Sequence, residues 1–129
     1  MAVPSVATYS VAALVDAHTA FLALLDAGSA GLCRIRSSAD VLLAEITLDD
    51  PAGTVNGATG QLTITFDGRD ESANASGTAA YGELCASDGT VHLAIPAQAG
   101  STPVAGKLVL NTLTIVSGLP VEIMTCTIG

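Results

Sequence analysis

The spacing of apolar residues changes once along this chain, at Gly31, and that change limits what the chain can fold into. Before it, Val11, Leu14 with Val15, Phe21 with Leu22, and Leu25 recur at helical spacing, with alanine filling the gaps. After it, apolar and polar residues alternate, as they do along strands that bury one face. Ser10 suits the N-cap and Gly28 suits the C′ stop, so the pattern predicts a helix over about residues 11–27. At 1.5 Å per residue that helix is about 25 Å long. Asp26 near its C-terminal end opposes the helix dipole, at a small cost.

The period-two region opens with Leu32 to Arg36, which places Arg34 and Arg36 on one face. A turn over 37–40 leads to a second strand, where Leu42, Ala44, Ile46 and Leu48 alternate with Leu43, Glu45 and Thr47. If the two form a hairpin, Glu45 faces Arg34 or Arg36 across the pair, worth about 0.2–1 kcal/mol. Asp49-Asp50-Pro51 is expected to end the strand, because proline cannot donate to a ladder, and a Gly-rich loop then runs to Gly60. Leu62, Ile64 and Phe66 give the cleanest alternation in the chain. A polar loop follows over 67–77, then a small-residue strand over 78–86. Ser87-Asp88-Gly89 is a hairpin signal, and Val91, Leu93 and Ile95 form the return strand, ended by Pro96. Residues 97–106 read as a second loop. Two apolar pieces, 107–110 and 113–116, flank a break at Asn111-Thr112 that suits a bulge. The last segment, 121–128, is apolar on both faces: Val121 and Ile123 on one, Met124, Cys126 and Ile128 on the other. Such a strand is central in its sheet or lies under a neighbour.

The expected fold is therefore mainly β: one N-terminal helix (about 11–27) followed by a seven- to eight-stranded antiparallel sandwich or barrel. By length the chain is one domain over 1–129, with an extended arm (1–9), the helix (10–28) and the β region (31–128). The helix must hide its apolar stripe across a sheet face or an open end. There is no Trp, so the core is aliphatic, either a thin sandwich or a core completed by a neighbouring subunit.

Only 12% of the residues are charged, while 50% are hydrophobic. Soluble domains carry about 25% charged residues. The exterior must therefore be rich in Ala, Gly, Ser and Thr, which suits it to meeting another protein surface. The net charge of −8 argues against nucleic acid and against an anionic membrane, since both need clustered cations. The start of the chain lacks the Lys or Arg of a signal peptide, and Val11 to Leu25 is too short and too polar to span a bilayer, so a soluble protein made in a cytoplasm is expected.

No residue set points to catalysis, a cofactor or a metal. Cys33, Cys85 and Cys126 form no C-x-x-C pair, and each sits in an apolar run. Buried free thiols are the favoured reading; one disulfide with a spare thiol is the other. His18 lies near the apolar stripe of the helix and His92 on the outward face of a strand, with no ligands at metal-binding spacing around either. Asp67, Asp70 and Glu71, like Asp49 and Asp50, could attract Ca²⁺, but their spacing matches no EF-hand and they read as polar loop residues. There is no G-x-S-x-G elbow and no phosphate-binding Gly loop. Asn74-Ala75-Ser76 fits the glycosylation pattern by chance.

Several segments carry a resemblance. They are Leu24-Leu25-Asp26-Ala27-Gly28, Leu48-Asp49-Asp50-Pro51-Ala52, and Ala75-Ser76-Gly77-Thr78-Ala79-Ala80 leading into Ser87-Asp88-Gly89-Thr90. Leu110-Asn111-Thr112 with Ile115, Gly118, Pro120 and Val121 completes the set. In this order the chain resembles a loosely defined set of small virion proteins of tailed bacteriophages and prophages. The resemblance implies a structural, non-enzymatic protein of the virion, made in the host cytoplasm. It would be a capsid decoration or cement subunit, acting as a homo-oligomer against other virion proteins such as the major capsid protein. A tail-fibre or receptor module, binding carbohydrate, is the alternative. Low charge and position single out three contact regions: the arm 2–9 (Val3, Pro4, Val6, Tyr9), the loop 97–106 (Pro103, Val104) and the end strand (Val121, Ile123, Met124, Ile128).

Overall fold

A computed structural model describes residues 7–129. The helix α1 (Val11–Leu25) starts where the sequence places it: the Ser10 hydroxyl accepts from the Ala13 N–H at 3.1 Å. It ends two residues earlier than expected, at an Asp26 cap whose N–H donates to the Leu22 carbonyl. Asp26 has a use that outweighs its dipole cost. Its carboxylate accepts from the Ala52 N–H at 2.9 Å and so pins the helix end to the sheet.

Nine strands follow: β1 (Leu32–Arg36), β2 (Leu42–Val55), β3 (Leu62–Phe66), β4 (Gly77–Thr78), β5 (Tyr81–Cys85), β6 (Val91–Ala99), β7 (Lys107–Leu110), β8 (Thr114–Ile115) and β9 (Ile123–Ile128). Seven close into a barrel in the order β1-β2-β3-β9-β7-β6-β5, with β5 returning to β1. β4 and β8 form a separate two-stranded ribbon. The expected helix followed by a β barrel is what the chain forms.

The sheet is not wholly antiparallel. β6 and β7 run parallel, with Ala97↔Leu108, Gln98↔Val109 and Ala99↔Leu110. Parallel neighbours normally need a long crossover. Here residues 100–106 suffice because the pairing spans so few rungs.

Two prolines expected to end strands lie inside them. β2 passes through Pro51 because pairing with β3 lapses between Leu48↔Phe66 and Gly53↔Ile64, so the missing donor costs no rung. β6 passes through Pro96. The Ala97 N–H donates to the Ala80 carbonyl on the β5 side, so the Pro96 nitrogen faces the β7 side, where the ladder begins only at Ala97.

The barrel interior is aliphatic. Cys33, Ile35, Ile46, Leu62, Leu84 and Leu108 are among its fully or almost fully buried residues. Gly82 makes room for this packing: a Cβ there would stand 2.6 Å from Leu108 Cδ2, and the buried leucine would have to shift. Outside, Arg34 pairs with Glu45 at 3.0 Å, as the hairpin reading allowed, and Arg36 turns instead to Glu83 on β5.

Each end of the barrel is covered differently. α1 crosses the end where β2 leads into β3 and β9 finishes. Leu14 packs against Gly60, His18 reaches Gly129, and the Ser87 hydroxyl bonds the Ala27 carbonyl. The ribbon covers the other end, where Gly77 lies on Leu43, the extra residue of a bulge in β2. In β9, Leu110 pairs with Ile123 and Val109 with Thr125, which leaves Met124 as the extra residue. That bulge turns Met124 outward and lets both Ile123 and Cys126 face the core. The apolar residues of 121–128 thus do not divide between two faces as the alternation suggested.

Gly82→Val should lower stability by about 1–3 kcal/mol, the usual cost of an overpacked core. Chemical denaturation checks it, and adding Leu108→Ala should leave the double variant more stable than the two separate losses would add up to.

Candidate functional site

Several titratable residues have structural partners. His18 Nδ1 donates to the Gly60 carbonyl at 2.6 Å, which ties α1 to the β2–β3 turn. Asp70 accepts from the Glu45 N–H at 3.0 Å and from the Ser72 N–H at 2.9 Å, and Glu71 pairs with Arg69 at 3.2 Å. Asp88 is held below the usual carboxylate range by the Thr90 N–H that closes its turn. Among the described residues no group of three or more His, Cys, Asp or Glu is placed to hold a metal ion. None of their helices is long and apolar enough to cross a membrane.

The three cysteines are free and buried. Burial pushes every thiol pKa up, Cys33 and Cys85 included, and carries Cys126 to about 12. For Cys33 the neighbouring thiols Cys126 and Cys85 add to that rise. These thiols are packing groups and poor nucleophiles.

What remains is surface. The first feature is the outward side of α1. Leu14, Val15, His18, Phe21, Leu22 and Leu25 face the barrel, and of these only Leu25 is fully buried. The opposite side presents Ala12, Ala13, Ala17, Ala20 and Ala23 between Val11 and Leu24, which are 42% and 50% exposed. Asp16 is its one charged residue. Tyr9, just before the helix, is 77% exposed.

The second feature lies in the barrel wall, where β3 and β9 pair only at Leu62↔Ile128 and Thr63↔Thr127. Beyond those pairs the strands part around a hollow of about 800 Å³, with Ile64 and Cys126 on its floor and Asp49, Arg69 and Glu122 at its rim. A smaller hollow of about 490 Å³ adjoins it, flanked by Val116 and Leu119 and sharing Met124.

Of the contact residues expected from sequence, Val3, Pro4 and Val6 lie outside the described residues. Tyr9, Pro103 and Met124 are exposed, and Val104 is half-buried. Val121 and Ile123 are buried in the core cluster and Ile128 packs against it. These three belong to the fold: Val121 and Ile123 face the core directly, and the bulge at Met124 brings the later Ile128 round to their side. Nothing in the sequence marks the outward alanines of α1 as a surface, because alanine fits a core-facing helix equally well. Only the position of the barrel separates the two sides.

No family model matches this chain, and neither a curated protein nor a solved structure does. The assignment to a virion, a capsid or a bacteriophage is corrected by this result: no related protein carries it. The residues that suggested it include turn and bulge residues of a closed barrel, such as Asp49 to Ala52 within β2 and the Asp88-Gly89 turn.

The thiols generate a pH expectation. Their pKa values are higher folded than unfolded, so the stabilisation they confer is complete below the ordinary thiol pKa of about 8.5 and is lost as pH rises above it. Denaturation at successive pH values should show stability falling from about pH 8.5 upward, and Cys126→Ala should make that fall shallower. At neutral pH a thiol reagent should modify the cysteines only once the chain is unfolded.

Proposed function

We propose that this chain is a non-catalytic structural subunit that assembles with copies of itself through the outward side of α1. One observation carries the reading. Every residue of the helix is hydrophobic except Asp16, His18 and Thr19, yet only Leu25 is fully buried. A helix apolar all round belongs inside a core. Here the barrel supplies cover on one side only, and a second copy would supply the other. The low charge of the chain agrees with this, since so little solvating charge stands between the copies.

Size decides how much surface must join. A helix of this length is about 22 Å long and about 10 Å across, so one side of it falls well short of the roughly 800 Å² per partner in a stable interface. Tyr9, which leads into α1, and Val91, which opens β6 after the Ser87 turn that Gly28 meets, are exposed and add apolar area. At about 25 cal/mol per Å² the alanines contribute little singly, so Val11, Leu24 and Tyr9 act as anchors.

Light scattering on the purified protein should give a mass of two or more copies. Leu24→Asp combined with Ala20→Asp should give a monomer with an unchanged circular dichroism spectrum. A wild-type protein that stays monomeric up to about 100 μM would refute the reading.

A further inference from the structure

We propose that the gap between β3 and β9 accepts an extended, cationic segment of a different protein as an added strand. The gap is bounded at both ends. Thr63↔Thr127 closes one, and Asp70↔Val121, joined by two backbone hydrogen bonds of 2.9 and 2.7 Å, closes the other. Residues 64–69 therefore lie opposite residues 122–126, and the strands part and rejoin nearly in register.

Each edge is held in place from behind. β2 pairs with Ile64 and Phe66 on the far side of β3, and β7 pairs with Ile123, Thr125 and Cys126 on the far side of β9. The result is a slot with two fixed strand edges and a hollow of about 800 Å³ between them. Backbone groups along such edges want ladder partners. A chain laid between them finds partners on both sides, and main-chain pairing is the usual source of affinity in strand addition. At about 3.3 Å per residue the gap is about 16 Å long, room for a segment of about five residues.

The walls select the sequence. Asp49, Glu71 and Glu122 stand at the rim against one cation, Arg69. Arg69 is already bonded to Glu71, and neither Asp49 nor Glu122 has an ion pair among the described residues. The floor is apolar, with Ile64, Ile123 and Cys126 buried. A strand that alternates Lys or Arg with a small aliphatic residue meets both, with its cations over the rim and its aliphatic side chains on the floor. A second copy of this chain offers no such strand. Its one segment with two arginines, Leu32–Arg36, is paired on both edges within its own barrel. The inference is independent of assembly through α1.

The probe is an acetylated lysine–valine–lysine–valine–lysine peptide, titrated into the full chain and followed by amide chemical shifts and hydrogen exchange. Binding should protect amides within 64–66 and 123–126. It should weaken by about tenfold or more when Asp49→Lys and Glu122→Lys are combined, as expected for charge-matched recognition. It should weaken as much when the valine nitrogens of the peptide are methylated, because the strand then loses backbone donors. No binding, protection confined to other strands, or equal binding by the methylated peptide or by a glutamate counterpart would each overturn the proposal. If the double variant does not fold, the comparison of plain and methylated peptide on the wild-type chain decides it.

Discussion

β5 returns to β1 along the whole length of both strands, from Leu32↔Cys85 to Arg36↔Tyr81, and this closure decides where the molecule can meet anything else. A closed sheet has no outer strand to offer a partner. Closure also fixes the interior volume, so the core must be filled from within by Leu, Ile and Cys side chains, with Gly82 giving way to Leu108. It leaves two ends that need lids, and the chain provides one of each kind. The β4–β8 ribbon hides Leu43 at one end. α1 spans the other and buries only Leu25 completely. The two proposed contacts use what closure leaves over, the back of that helix and the stretch of wall where β3 and β9 part.

Features set by neighbours in sequence were legible before the structure. Ser10 caps the helix it was expected to cap, the alternation of Leu62 and Ile64 buries the expected face, and Arg34 meets Glu45 across the first hairpin. Features set by distant partners were not. Whether proline interrupts a strand depends on what lies beside it: Pro51 falls in a lapse of the β2–β3 ladder, and the nitrogen of Pro96 faces away from β5. The parallel β6–β7 pair and the bulge at Met124 have the same origin. That bulge brings Cys126 and Ile128, which strict alternation sets on the other face, round to the side of Val121 and Ile123, so the end strand chosen for its low charge serves the core. A single inserted residue shifts every later side chain to the other face.

The candidate surfaces were legible only as a composition. A chain with 12% charged residues must expose small and apolar side chains somewhere, but the proportion does not say where. The fold locates them. The alanines of α1 gather on the side away from the barrel, while the carboxylates Asp49 and Glu122, far apart in sequence, come to one rim. The cysteines, which sequence offered either as free thiols or as a disulfide with a spare, are free and spread over β1, β5 and β9. Because burial keeps them protonated, they leave the surface open to a selective chemical probe.

That property supplies the most direct test of assembly through the helix. Ala17→Cys places a single reactive thiol on the outward side of α1, with Thr54→Cys as a control on an exposed position of β2. Mild oxidation of each variant, read by non-reducing electrophoresis, should link Ala17→Cys chains into pairs and leave Thr54→Cys chains single. Equal linkage in both variants, or none in Ala17→Cys, would contradict the account.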